Sequence, residues 1–256
     1  MKTKFIVIVL LGVLVACHEK VTPVSTPIVE EPQPIDSIVV SLPVLPPSDS
    51  TKKEGSLVVL GAEFVRIPDS YFESRLVQFG VDSDKIIDGK ISRSDAEKTD
   101  TLIVSGGYGS FIKSLKGIES FKNLVALECR WNELDTLDLS QNTKLEYLDC
   151  SGMNGGVAFA QYDTYNVRRY IYLPKSLKVL DAYLTSFTNL NSQDLTNLEF
   201  LRLHGGNYNK IDLAKCNKLK EFQFYPNSKT TVCVNSLDQV TDKWTQSDKI
   251  EYKVCN

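Results

Sequence analysis

The feature that most constrains this chain is an apolar pattern that recurs with a fixed period in its second half. Five segments share the form Leu-x-x-(Leu/Phe)-x-(apolar), and they begin at Leu124, Leu145, Leu177, Leu198 and Leu219. Their starts are separated by 21, 32, 21 and 21 residues. Two further apolar columns keep the same phase, namely Leu127, Leu148, Leu180, Leu201 and Phe222, then Cys129, Cys150, Ala182, Leu203 and Phe224.

A unit of this length cannot bury its own apolar edge, so consecutive units must stack on one another. The repeat therefore predicts an α/β-type solenoid, a right-handed coil with a single parallel sheet of about six strands. The chain that returns between the strands is expected to be mostly irregular.

The turns that follow the strands carry a second, weaker repeat. Asn132 and Asn227 occupy the same position in the first and fifth units. With the columns, these residues resemble the internalin-like leucine-rich-repeat surface proteins that carry a cysteine in a core column. The resemblance implies that each asparagine bonds backbone groups inside its turn. The ladder should be incomplete, because the other units carry Met153, Thr185 and Gly206.

The resemblance extends over residues 64–256 and includes both flanks of the repeats. It implies an N-terminal cap at 57–118, repeats at 119–228 and a C-terminal cap at 229–256, since an open solenoid would expose its apolar ends. The first cap should contain a helix near residues 69–79, where one helical face carries Tyr71, Phe72, Leu76 and Phe79.

The N-terminus has the pattern of an export signal. Lys2 and Lys4 precede an apolar run over residues 5–16, too short for the roughly 20 residues of a membrane-spanning helix. The run ends in Leu14-Val15-Ala16-Cys17, which resembles the lipobox of bacterial lipoproteins. This resemblance implies a signal peptide at 1–16 and acyl chains on Cys17, which would anchor the protein to a membrane.

Residues 17–56 have the composition of a tether, because they hold seven of the ten prolines among Ser, Thr, Val and acidic residues. Such a stretch cannot bury enough apolar surface to fold, and fully extended it would span on the order of 100 Å. We expect a lipid-anchored protein of the cell envelope, in the outer membrane.

Composition excludes several function classes. The net charge is −3 and no run of Lys and Arg is present, so no nucleic-acid partner is expected. The chain has only two histidines, His18 in the tether and His204 in a strand, and no motif surrounds His204. We expect a monomer that is not an enzyme and needs no cofactor.

One loop of the first cap resembles a calcium-binding loop in part. In that register Asp84, Asp88 and Asp95 fall at ligand positions, with Gly89 at the sharp turn. Position three, however, is Ile86, which has no oxygen to offer, and position twelve is Asp rather than Glu. We interpret residues 84–95 as a turn and predict no metal site.

The cysteines of the repeats and of the second cap differ in their expected state. Cys129 and Cys150 stand in one buried column, where their spacing allows a bridge but parallel Cβ vectors favour free, packed thiols. Cys233 and Cys255 bracket the second cap of an exported protein, so we predict a disulfide that closes about 23 residues and stabilises by roughly 3 kcal/mol. Cys216 should be buried, and no Cys/His cluster offers a zinc site.

Side chains alternate along a strand, so residues between the buried leucines must face outward. From these positions we predict a binding surface that consists of Tyr147, Asp149, Asp181, Tyr183, Phe200, Arg202, His204 and Tyr225. Clustered aromatic residues beside Arg are typical of binding hot spots. Glu128, Asp149 and Asp181 stand in line, which suggests a cationic or hydroxyl-rich partner group, although Arg130 and Arg202 can offset the repulsion.

The long second unit offers a rival site, because residues 152–172 contain a glycine-rich and then aromatic insertion. An ordinary surface hairpin explains it equally well. For the module as a whole we weigh protein binding through the outward face first. Glycan binding, with Tyr stacking on sugar rings and Asp149 and Asp181 bonding hydroxyls, is the alternative, and a weak metal-dependent or enzymatic role comes third.

Overall fold

The structure, a computed structural model, describes residues 63–106, 111–153, 170–185, 187, 190, 192–204 and 208–255. The predicted signal peptide at 1–16, the predicted lipidation site Cys17, the predicted tether at 17–56 and most of the insertion at 152–172 lie outside these residues. Within them, neither α-helix is long and apolar enough to cross a bilayer.

The described elements follow one another along a single coil. The helices are α1 (Ser70–Gln78) and α2 (Arg93–Lys98), with short 3-10 helices at Ile118–Ser120, Ser192–Asp194 and Leu237–Gln239. The strands are β1 (Phe64–Arg66), β2 (Lys90–Ser92), β3 (Thr101–Ile103), β4 (Ala126–Glu128), β5 (Thr136–Asp138), β6 (Tyr147–Asp149), β7 (Tyr170–Tyr172), β8 (Val179–Ala182), β9 (Phe200–His204), β10 (Lys210–Asp212), β11 (Glu221–Tyr225), β12 (Thr230–Val234) and β13 (Ile250–Val254).

The predicted parallel sheet is confirmed. Six strands pair in the order β11-β9-β8-β6-β4-β3, and every pair is parallel. The register places equivalent residues of successive units side by side, as in Leu127↔Leu148 and Leu148↔Leu180. Backbone bonds continue this ladder beyond the strands, since Trp131 N–H donates to the Ser151 carbonyl at 3.0 Å. Each unit is therefore fixed to the next along its whole strand segment.

The three predicted apolar columns form the core. Every residue in them is buried, with Leu219 the most exposed at 5%. Complete burial of one leucine contributes about 1.5–3 kcal/mol, so the columns supply most of the force that holds the units together. The end of the core beside β11 is covered by Trp244, which bridges to Phe222 with ring centroids 5.5 Å apart.

The turns bear out one asparagine assignment and overturn another. Asn132 is fully buried; its Nδ2 donates to the carbonyls of Val104 and Cys129 at 2.9 and 3.0 Å. Asn227 is instead exposed, so its predicted role inside a turn was wrong. Thr185 makes the equivalent contact between the second and third units: its Oγ1 donates to the Cys150 carbonyl at 3.0 Å. A hydroxyl thus continues the ladder where we expected a gap.

The returning chain is more regular than we predicted. β5 and β7 form a two-stranded parallel sheet, and β10, β12 and β13 form a three-stranded one. A disulfide joins Cys233 in β12 to Cys255, just after β13, with Cα atoms 5.3 Å apart. Cys129, Cys150 and Cys216 are buried free thiols.

Helix α1 begins where the sequence predicts, but its buried face is narrower. Asp69 caps it, since Oδ1 accepts from the N–H groups of Tyr71 and Phe72 at 3.0 Å. Phe72 and Leu76 are buried against the solenoid. Tyr71 and Phe79, which we placed on the same face, are 48% and 50% exposed. Tyr71 directly precedes Phe72 and so points about 100° away from it, and Phe79 lies just beyond the last helical residue.

Candidate functional site: the outward face of the main sheet

The outward residues of strands β4, β6, β8, β9 and β11, and of the segments just after the first three of these strands, form three columns, which we call the open face. The first column is Ala126, Tyr147, Val179, Phe200 and Glu221; the second is Glu128, Asp149, Asp181, Arg202 and Gln223; the third is Arg130, Ser151, Tyr183, His204 and Tyr225. Strand pairing sets the members of the first two columns directly opposite each other. All eight residues predicted to bind a partner therefore stand in these columns, although Asp149 and Asp181 are buried.

The acidic residues of the second column are paired within the chain. Arg130 reaches both sides, with Nη2 2.9 Å from Oε2 of Glu128 and Nε 3.5 Å from Oδ2 of Asp149. Arg202 binds Asp181 at two points, Nε to Oδ1 at 2.9 Å and Nη2 to Oδ2. Two guanidinium groups thus offset part of the repulsion among the three carboxylates, although Asp149 and Asp181 remain directly opposite each other on β6 and β8.

Asp149 and Asp181 are also largely covered. Their side chains are 7% and 11% exposed. Both the backbone N–H and the hydroxyl of Ser151 donate to Oδ1 of Asp149. Burial nevertheless raises the pKa of Asp149, and Asp181 raises it further against the opposing bonds from Ser151 and the charge of Arg130. In this arrangement the two carboxylates hold their neighbours in place and present little surface to a partner.

Three rings meet at the end of the third column, and we call Tyr183, His204 and Tyr225 the aromatic cluster. The centroids of Tyr183 and His204 are 4.8 Å apart, and Tyr225 lies 6.1 Å from each. The guanidinium carbon of Arg202 lies 5.3 Å from the Tyr183 ring centroid, within the range of a cation–π contact. Burial lowers the pKa of His204, so its imidazole is neutral at pH 7.

The first column supplies apolar area beside the paired charges. Tyr147 lies directly opposite Val179 on β8, which in turn lies opposite Phe200 on β9. Burial, followed by the charge of Asp149, raises the pKa of Tyr147 to about 12, so the phenol keeps its proton and can donate a hydrogen bond. The open face therefore combines ring surfaces, hydroxyl groups and fixed guanidinium groups.

Trp131 lies at the edge of this face, and the sequence analysis missed it. Its backbone is left-handed, with φ of 57°, and Gly152 and Leu184 have φ of 67° and 56° at the same position in the next two units. A Cβ on Gly152 would lie 2.3 Å from Cε3 of Trp131, so the indole packs directly on the glycine backbone. The glycine itself was the available signal, because it marks the position as left-handed.

The loop that resembles a calcium site is organised around a carboxylate instead. Glu73 of α1 is 1% exposed and accepts backbone N–H groups from Asp88, Gly89 and Lys90 at 2.8–3.0 Å. Amide hydrogens rather than oxygens thus point to the centre of the loop, which disfavours a cation there. No cluster of three metal-ligating side chains occurs among the residues that the structure describes.

Two other candidates came from the sequence, the insertion at 152–172 and a catalytic role for His204. The rival insertion lies outside the described residues between 153 and 170; where the chain resumes, β7 pairs with β5 and Tyr172 is 47% exposed. His204 has tyrosine rings around it in the described part of the chain, with no carboxylate bonded to its imidazole, so nothing there has the geometry of a catalytic triad.

No protein-family model matches the sequence, and no curated protein does. Among solved structures, the functional domain of InlJ from Listeria monocytogenes, titled as including a cysteine ladder, superposes with a TM-score of 0.52 at 20% identity. The match covers 76% of this chain and 48% of that one, so this chain spans about half the length of the InlJ domain. This likeness shows the shared fold, a solenoid of leucine-rich repeats.

Two further structures overlap less well. Internalin C2 from Listeria monocytogenes gives a TM-score of 0.42 at 16% identity, covering 75% of this chain and 98% of that one. A structure of CBM51-2 in complex with GlcNAc and INT domains from Clostridium perfringens ZmpB gives 0.29 at 31% identity, covering 35% and 18%.

Proposed function

We propose that this chain is a leucine-rich-repeat binding module that recognises a protein partner through the open face and catalyses no reaction. The observation that carries the proposal is the aromatic cluster, together with the Arg202 side chain that Asp181 holds against it. Tyr and Arg side chains in such clusters supply a large share of binding energy at protein interfaces. Tyr225 leaves 48% of its surface available for contact.

The internal pairing of the face favours binding because the side chains are ordered before a partner arrives. Arg130 and Arg202 are each fixed by carboxylates on their own or a neighbouring strand. Each long side chain that is already immobile saves about 0.5–1.5 kcal/mol of ordering cost. Since the carboxylates are already paired, ring and apolar contacts rather than new ion pairs would supply the affinity.

The position of the module in the cell belongs to the same proposal. Acyl chains on Cys17 would anchor the chain to the envelope, in the outer membrane, and the proline-rich tether would hold the repeats away from the bilayer. Incorporation of labelled palmitate into the wild-type chain, and its loss in Cys17→Ser, tests the anchor. Equal labelling of both proteins would refute it.

A photo-crosslinking amino acid at position 225 tests the binding face. The matched control places the same group at position 71, because Tyr71 and Tyr225 are equally exposed at 48% but Tyr71 lies on the cap helix. We expect a discrete protein adduct from position 225 that is absent from position 71. Equal adducts from both positions would refute recognition through the open face.

Glycan binding is the second candidate, favoured by the neutral rings and phenol hydroxyls of Tyr147, Tyr183 and Tyr225. A glycan array probed with the purified chain separates the two functions. Strong sugar signals that Tyr183→Ala abolishes would replace the protein partner with a glycan.

A further inference from the structure

A carboxyl group in the N-terminal cap is buried without a partner. Asp82 follows helix α1, and its backbone N–H donates to the Leu76 carbonyl at 3.1 Å. The residue is 1% exposed, and neither carboxyl oxygen has a hydrogen-bond partner among the described residues. Burial of an ionised carboxylate in this state is costly, so the group requires a compensating interaction.

The charges that act on Asp82 are both negative. Asp84 in the same loop acts most strongly, and Glu73 on α1 acts more weakly. The Asp84 side chain itself is exposed, and its Oδ1 accepts from the backbone N–H of Ile86 at 2.8 Å. Burial, with these two charges, raises the pKa of Asp82 to about 6.

Lys85, within the loop, is exposed, and the two nearest other cations have partners of their own. Lys90 binds Asp88 at 2.7 Å, and Arg75 on α1 donates to Gln78 at 2.7 Å. On the side of α2, Asp95 accepts from the hydroxyl of Ser83 at 2.7 Å. Glu73 is saturated by the three amides described above. A proton from solvent is therefore the simplest group that can neutralise Asp82.

We propose that the buried carboxyl group of Asp82 carries a proton, and that this proton holds the cap loop, residues 82–89, in the closed conformation of the structure. When the proton leaves, a carboxylate without a counter-ion is buried at Asp82, near the negative charges of Asp84 and Glu73. The cap loop is then a pH-sensitive element that is more stable in acid. This inference is independent of the proposed binding function.

The direction of this pH dependence follows from the coupling between proton binding and folding. The folded state binds the proton more tightly than the unfolded chain, whose Asp has a pKa near the ordinary 3.8. The stabilisation is absent well above pH 6, appears as the pH falls through 6, and is complete below about 4. Between pH 7.5 and pH 5 this linkage corresponds to about a tenfold change in the closing equilibrium of the cap loop.

Hydrogen–deuterium exchange on the full chain tests the proposal, with rates corrected for the intrinsic effect of pH. The amides of Val81, Asp82 and Gly89 report on the loop, because each donates a bond that loop opening breaks. We expect their protection to be about tenfold greater at pH 5 than at pH 7.5. The amide of Cys129, in the core ladder, should not change.

Two variants and the addition of calcium test whether a proton at Asp82 stabilises the cap loop. Asp82→Asn should remove the pH dependence, whereas Glu97→Gln, an exposed carboxylate on α2, should retain it. A carboxyl ¹³C titration of the wild-type chain gives the same information if Asp82→Asn does not fold. Unchanged protection in the wild type, a wild-type response in Asp82→Asn, or full protection at pH 7.5 with millimolar calcium would each overturn the proposal.

Discussion

Asp181 and Arg202, on neighbouring strands of the main sheet, form a two-point ion pair in which Nε of Arg202 lies 2.9 Å from Oδ1 of Asp181. Asp181→Ala would leave a guanidinium group beside Tyr183 without its carboxylate. Because the lost bonds are charge-assisted and partly buried, we expect a loss of about 1–3 kcal/mol, measured by urea unfolding.

The control for this prediction is an exposed pair on the same sheet. Lys178 and Glu146 lie 2.8 Å apart, but nearly half of each side chain is exposed. Glu146→Ala should therefore cost only about 0–1 kcal/mol. Equal losses in the two variants would contradict a special role for Asp181.

A second prediction concerns Gly152, on which the indole of Trp131 packs. Gly152→Ala introduces a methyl group 2.3 Å from Trp131 Cε3 at a residue whose φ is +67°. Backbone strain and overpacking together should cost about 2–4 kcal/mol in a thermal or urea unfolding experiment.

Gly80 provides the matched control because its φ is +71° but no atom lies within 4 Å of the added Cβ. Gly80→Ala should lower the free energy of unfolding only through backbone strain, by about 1 kcal/mol. Trp131→Ala in the Gly152→Ala background should recover part of the loss. A Gly152→Ala protein as stable as Gly80→Ala would show that the indole moves aside freely.

Thiol accessibility provides a third prediction. Burial raises the pKa of Cys129, Cys150 and Cys216, so their thiols should not react with a soluble disulfide reagent in the native state at pH 8. Denaturation should expose these three, and reduction should add the two cysteines of the Cys233–Cys255 bridge. Labelling of five of these residues without reductant would rule out the bridge.

The titration of His204 provides a fourth prediction. Burial lowers its pKa below the ordinary value of about 6.5. Its contribution to stability is present above pH 6.5 and falls as the pH drops through that value, because the unfolded chain then takes up the proton first. Proton NMR can follow the imidazole, since His18 is the only other histidine.

Tyr183→Ala should raise the pKa of His204 toward its ordinary value by admitting water to the ring. The exposed Tyr71→Ala serves as the control and should leave the titration unchanged. A ligand that covers the aromatic cluster should bind less tightly in acid, because it buries the imidazole further. An unchanged titration in Tyr183→Ala would show that the rings do not shield His204.

The sequence predicted the core because burial there depends on spacing alone. Residues such as Leu148 and Leu201 recur in phase, and stacking of the units buries all of them. Spacing also placed Glu128, Asp149 and Asp181 in line. It did not show that Arg130 extends between two carboxylates, since that depends on the conformation of a long side chain.

Several polar contacts could not be predicted, because they depend on which residues lie close together in the folded chain. Thr185 reaches a carbonyl of the preceding unit, whereas Asn227 points to solvent, although the repeat aligns both with Asn132. Glu73 lies on a helix and completes a loop 15 to 17 residues away. Trp131 was missed because a left-handed tryptophan has no sequence signal of its own.

The strict pairing of equivalent residues across the sheet has an evolutionary consequence. Inward side chains such as Leu180 and Leu201 secure the stacking, while their outward neighbours Val179 and Phe200 each contribute one patch of surface. A mutation in an outward position alters that patch and leaves the strand register intact. Descendants of this gene can therefore change the chemistry of the open face one residue at a time without first acquiring a new scaffold.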